Sequence, residues 1–224
     1  MSISTLDKSY IKDKKALVRV DFNVPMHDGI ITNDARIRAS IPTINYLLDH
    51  GASVILVSHL GRPKNQVDES LRLTPVSNRL SELIGKPVKQ LENCVGETVR
   101  SSVSNIQPGE IVMLENVRFH KQEIDNDQDF SKELASLADI FVQDAFGVSH
   151  RAHASTVGVV DHIPGYAGLL VKKELDFLHK SINLEPQRPF LSIIGGAKVS
   201  TKLGVLKNLL SKVDVLVIGG AMAY

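Results

Sequence analysis

Short, almost continuous apolar runs recur along this chain, and each passes through turn residues into a stretch of helical periodicity. ALVRV (16–20), SVILV (53–57), IVML (111–114), DIFV (139–142), FLSII (190–194) and VDVLVI (213–218) read as buried strands. Between them Ile37, Ile41, Ile44 and Leu48 mark one apolar helical face, and Val76, Leu80 and Leu83 mark another behind a Thr74-Pro75 start. Val171, Leu175, Leu178 and Ile182 mark a third, on a helix from about Gly168 to Asn183. Strands alternating with helices predict an α/β fold, a doubly wound (Rossmann-like) parallel sheet covered on both faces. In such sheets ligands sit beyond the carboxyl ends of the strands, so those ends are where chemistry is to be sought.

At 224 residues the chain suits one large domain or two modest ones. Lys and Arg number 26 against 25 Asp and Glu, a net charge of +1, so no overall field recruits nucleic acid or an acidic membrane. Any anion must be held by local arrangement. Cys94 is the only cysteine, which excludes an internal disulfide and fits a reducing compartment. MSISTLDKSY has no apolar signal core and no run of ~18 apolar residues follows, so a cytoplasmic location is expected. The polar segment NLEPQRP (183–189), with two prolines, marks the domain boundary. The expected organisation is a first domain over 1–170, a linker helix and hinge over 171–188, and the opening of a second doubly wound domain over 189–224. Segments below ~40 residues rarely fold alone, so that second domain is expected to be incomplete. Its two strands end in IIGG and VIGG, which would set two glycine pairs on one sheet edge.

The strand ends carry an unusual set of residues. RVDFNVP places Asp21 and Asn23 at the ligand edge, although an Asx turn would use the same residues. SHLGRP adds His59 and Arg62, LENVRF adds Arg118, and QDAFGVSHRAHAST adds Arg151 flanked by His150 and His153. Those histidines lack the further carboxylates or cysteines of a metal set, so no metal site is expected. Arg36 precedes the first helical stripe, at the end of the helix dipole where a cation is unfavourable unless an anion joins it. Arginines converging from separate strands suit a small, multiply charged ligand, since each fork grips a phosphate or carboxylate with two hydrogen bonds. In FLSIIGGAKVSTKLG, Val199, Leu203, Leu206 and Leu210 form the buried stripe of a last helix, with Lys198 and Lys202 beside it in the first turns. Two cations there favour facing phosphates, yet neither a P-loop nor a G-x-G-x-x-G pattern can be read, and solvated surface lysines remain an alternative.

Taken together, RVDFNVP, SHLGRP, LENVRF, DAFGVSHRAHAST and GGAKVSTKLG resemble, in order and spacing, the motifs of the phosphoglycerate kinase family, from about Ala16 to the last residue. The resemblance implies a hinged, monomeric, glycolytic enzyme that moves a phosphoryl group between 1,3-bisphosphoglycerate and ADP, giving 3-phosphoglycerate and ATP. It implies an N-terminal domain for the acid, a C-terminal domain for ATP or ADP with Mg²⁺, and domain closure around them. Asp21, Asn23, Arg36, His59, Arg62, Arg118 and Arg151 match the family's phosphoglycerate-binding residues, with Arg36 closest to the transferred group. Lys202 matches a nucleotide-phosphate contact and Lys198 a lysine that stabilises the moving phosphoryl group. A carboxylate nucleophile is already ionised at neutral pH, which agrees with many cations and no evident acid–base pair.

Two departures stand out. The family's paired acidic residues after LENVRF are replaced by HKQE, with Gln122 in place of one, and little consequence is expected. Family chains are also nearly twice this long, so the resemblance implies a fragment, inactive by itself, that lacks the magnesium-binding aspartate, the adenine pocket and a second glycine-rich loop. Two readings compete. A nicotinamide-dependent dehydrogenase is disfavoured by the missing dinucleotide fingerprint, and a non-catalytic acid-binding module fits the shortened chain.

Overall fold

The computed structural model describes residues 4–7, 10–182, 187–197, 200 and 202–223. The chain divides into two units, Met1–Lys173 and Glu174–Tyr224. In the first, the elements run β1 (Lys15–Arg19), β2 (Met26–His27), β3 (Ile30–Ile31), α1 (Ala35–Asp49), β4 (Ser53–Val57), α2 (Thr74–Ile84), β5 (Val88–Gln90), α3 (Glu97–Ser104), β6 (Ile111–Met113), α4 (Lys121–Asp125), α5 (Gln128–Ala135), β7 (Ile140–Gln143), β8 (Gly165–Ala167) and the start of α6 (Leu169–Ile182). Six strands form one all-parallel sheet in the order β5-β6-β4-β1-β7-β8.

Side-chain alternation splits the core into two layers. Ala16, Val18, Val54 and Leu56 pack against Ile37, Ile44 and Leu47 of α1 and against Val76 and Leu80 of α2. Leu17, Ile55, Val112 and Phe141 face the other way, onto Val99 and Val103 of α3 and Phe130 and Leu134 of α5. The predicted central strands stand within two residues of their expected ends. The edge strands β5 and β8 were not anticipated: each has three residues, one containing Lys89 and the other Gly165, too short and too polar for an apolar run. The β2–β3 hairpin turns at Asp28-Gly29, both with positive φ (48° and 76°), a two-residue turn that matches the twist of paired strands.

The third predicted helical stripe needs correction. Val171 is buried and Leu175 half-buried, whereas Leu178 is exposed and Phe177 is 70% exposed. Only the first turn of α6 belongs to the first unit, so the later positions have no place in its core. The side chain of Ile182 lies outside the described residues.

In the second unit β9 (Leu191–Gly195) and β10 (Val215–Gly219) pair in parallel with Gly195 opposite Gly219, so the two glycine-rich ends do share one edge. Between them runs α7 (Leu203–Leu210), of which Leu206 is buried but Leu203 and Leu210 are exposed. The expected buried stripe is thus reduced to one residue, because two strands offer too little surface to cover a helix face; Val199 lies outside the described residues. Among the described residues no helix is long and apolar enough to cross a membrane.

Candidate anion-binding site

The sheet topology sets where the loops diverge. From β1 the chain leaves through α1 to β4 on one side, and from β7 it continues to β8 on the other. Loops following the adjacent strands β1 and β7 therefore part, opening the crevice in which doubly wound sheets bind ligands. One cavity of about 250 Å³ lies there, and Asp21, Asn23, Arg36, His59, Arg62, Arg118 and Arg151 all line it. Seven side chains predicted from four strand ends and one helix start are thereby brought together.

Their pairing differs sharply. The Arg36 guanidinium, half exposed at the second position of α1, bonds Asp21 Oδ2, while Asp21 Oδ1 is buried with no partner among the described residues. Gly147 lies close enough to this carboxylate that an added Cβ would stand 2.9 Å from Oδ2. Asn23 Oδ1 accepts the N–H of Gly61 at 2.8 Å, leaving its NH₂ for another acceptor. The φ of +61° at residue 61 favours glycine, and an added Cβ would fall 2.7 Å from Leu71 Cδ2, so that side chain would have to shift. The Gly61 carbonyl accepts from Arg118 Nη1 at 2.9 Å, whereas Arg118 Nε is buried without a partner among the described residues. Burial, followed by the like charges of Arg151 and Arg19, holds the Arg118 guanidinium below its ordinary pKa. Among the described residues no carboxylate pairs with Arg62 or Arg151. Burial also pushes His59 down to about 2, reinforced by Arg19, Arg118, Arg151 and Arg36, so the ring is neutral at physiological pH.

The support beneath the cavity escaped the sequence reading. Arg19, within the run ALVRV, is 1% exposed and contacts His59, Ser155 and the Val20 carbonyl. Glu123, the acidic residue that HKQE retains beside Gln122, is fully buried and accepts from both the N–H and the hydroxyl of Ser155. Asn116 braces two strand ends, its amide donating to the carbonyls of Leu60 and Leu71 and its oxygen accepting from the N–H of Leu60 and Arg118. Charged or amide side chains inside apolar runs were the available signal, since burial of such groups demands partners.

Cavity size does not single out this site. A hollow of about 720 Å³ lies between the hairpin and α2, but its arginines are already occupied, Arg38 by Asp34 and Arg79 by Asp34 and Glu82. His150 and His153 gather no metal set, and among the described residues no group of three or more His, Cys, Asp or Glu could hold an ion. In the second unit Lys202 is the N-cap of α7 and not a residue of its first turn. Its stem lies over Gly196, where an added Cβ would meet Lys202 Cε at 2.9 Å. Lys198 lies outside the described residues.

The family profile described as phosphoglycerate kinase matches residues 6–224. A phosphoglycerate kinase of Dictyoglomus turgidum is 59% identical over 214 residues, covering 96% of this chain and 54% of that protein. One of Moorella thermoacetica is 54% identical over 223 residues, covering all of this chain and 56% of that protein. Among solved structures, a phosphoglycerate kinase from Coxiella burnetii is similar with a TM-score of 0.82 and 39% identity, over 95% of this chain and 53% of that one. One from Pyrococcus horikoshii reaches 0.88 at 33% identity, over 99% and 56%. The chain thus spans about half the length of the relatives it matches.

Proposed function

Because this chain belongs to the phosphoglycerate kinase family, we propose that it serves reversible phosphoryl transfer between 1,3-bisphosphoglycerate and ADP, giving 3-phosphoglycerate and ATP, in cytoplasmic glycolysis. The observation that carries this reading is the convergence of four arginines, His59, Asp21 and Asn23 on one cavity. Arg62, Arg118 and Arg151 take the phosphate of 3-phosphoglycerate, Arg118 through the Nε that has no partner among the described residues. Asp21 Oδ1, a buried acceptor without a donor among the described residues, takes the substrate hydroxyl, with Asn23 and His59 donating beside it. Arg36 lies toward the carboxylate and stabilises charge on the transferring group.

That carboxylate is ionised at pH 7, so no general base is required, and a neutral His59 fits a donor and not a proton shuttle. Residues 1–170 bind the acid, residues 171–188 link, and residues 189–224 begin the nucleotide site, where Lys202 and Lys198 meet phosphates of ATP or ADP. Magnesium enters with the nucleotide as its counter-ion. The protein works as a monomer on these small-molecule substrates.

Calorimetric titration of the folded chain with 3-phosphoglycerate at low salt tests the assignment. Saturable binding that weakens as salt screens the ionic contacts is expected. Absence of saturation on a chain shown to be folded would overturn it.

A further inference from the structure

Arg19 sits where a guanidinium is expensive. It projects from β1 on the face of Leu17, and an unpaired charge so deep costs several kcal/mol. Its three nitrogens are each committed: Nη1 to the Val20 carbonyl at 2.6 Å, Nε to Ser155 Oγ at 2.8 Å, and Nη2 to His59 Nδ1 at 3.2 Å. Guanidinium nitrogens only donate, which forces every direction in the network. Ser155 Oγ accepts from Arg19, so its own proton goes to Glu123 Oε1 at 2.7 Å, while the Ser155 N–H binds Oε2 at 2.9 Å. Burial alone would raise the Glu123 carboxyl, but His153 Nδ1 3.6 Å away, the Arg19 charge and the two Ser155 hydrogen bonds outweigh it and hold the carboxyl below its ordinary pKa. At the other end, His59 Nδ1 must offer its lone pair to Arg19, which leaves the ring proton on Nε2.

We propose that Arg19, anchored through Ser155 to the buried Glu123 carboxylate, is a positioning residue that locks His59 as the Nε2–H tautomer, so that the ring serves the anion cavity as a neutral hydrogen-bond donor. The unlocked tautomer would present a lone pair at Nε2, where a phosphate or carboxylate oxygen repels it. The charged groups facing His59 act in the same sense. Arg19 comes from β1, Arg36 from α1, Arg62 from the histidine's own loop, Arg118 from beyond β6 and Arg151 from beyond β7, against one carboxylate, Asp21, among the described residues lining the cavity. Burial of the ring, and after it this excess positive charge, keep a second proton off it.

The ligand in this inference rests on the proposed function; the tautomer does not. Long-range ¹H–¹⁵N spectra of the labelled 224-residue chain, with His59 assigned by its loss in His59→Gln, read the ring state directly. One Nε2–H pattern, unchanged from about pH 5.5 to 8, is expected around the ordinary histidine midpoint. An Nδ1–H pattern, or a titration midpoint inside that range, would overturn the proposal. In Arg19→Lys, which keeps the charge but loses the fork, a mixed-tautomer pattern and about tenfold weaker 3-phosphoglycerate binding are expected. A folded Arg19→Lys chain with the wild-type nitrogen pattern would also overturn it, and if that variant does not fold the wild-type spectrum decides alone. Failure of the wild-type chain to bind 3-phosphoglycerate would refute the ligand assignment, with the spectrum still deciding the tautomer.

Discussion

At the scale of single residues, the arginines of the cavity are distinguished by the partners each has within the protein. Arg36 is tied to Asp21, so it must share or leave an ion pair before meeting an anion. Arg62 is exposed and has no carboxylate partner among the described residues, so a phosphate gains it without breaking anything. Charge-assisted hydrogen bonds contribute about 1.5–3 kcal/mol, and removal of Arg62 should therefore weaken 3-phosphoglycerate binding at least tenfold. In a family-length kinase carrying these residues, Arg62→Ala is expected to raise KM for 3-phosphoglycerate with kcat little changed. Arg36→Ala is expected to do the reverse, because charge that develops only in the transition state is felt in kcat. Steady-state kinetics giving equal effects on both parameters in both variants would remove the division of roles.

At the scale of elements, the junction of β7 with α6 holds a buried carboxylate that the sequence reading passed over. Asp144, fully buried, accepts the Leu170 N–H at 3.0 Å through Oδ1, while its Oδ2 has no partner among the described residues. Residue 168 has to be glycine, since a Cβ there would collide with the Asp144 carboxylate. Burial raises the Asp144 pKa to about 6, opposed only in part by the neighbouring polar groups of Thr43, Leu170 and Val171. An unfolded aspartate titrates near ~3.9, so between these values the folded chain keeps a proton that the unfolded chain has lost. The contribution to stability is full below about pH 4 and disappears as pH rises through about 6. Urea unfolding of the wild type relative to Asp144→Asn should show this difference falling by on the order of 2–3 kcal/mol between about pH 4 and 7.5. A difference that stays flat or grows with pH would contradict the assigned direction.

At the scale of the whole molecule, the two units are unlike in how much surface they bury. The first has two apolar layers around six strands, whereas the second exposes Leu191, Ile193, Val215 and Val217 on its two strands. Its described phosphate-binding candidate is Lys202 at the N-cap of α7. A solvent-exposed ion pair contributes ~1 kcal/mol or less, while lost translational freedom costs at least ~4 kcal/mol. Residues 1–224 should therefore bind ATP no tighter than about millimolar and show no kinase turnover in a coupled assay; micromolar ATP binding by calorimetry would contradict this. What the sequence determined by itself was local: the apolar period of each central strand and helix, the turn residues that stop them, and so the strand ends from which Asp21, His59, Arg118 and Arg151 emerge. Those signals span a few residues each, and short edge strands such as Val88–Gln90 fall below them. Only the tertiary structure decided which arginines stay unpaired, and that Arg19 reaches Ser155 across 136 residues of sequence to a buried Glu123. Burial and pairing are set by neighbours from other strands, and desolvation makes each of those neighbours decisive, so no local pattern carries them.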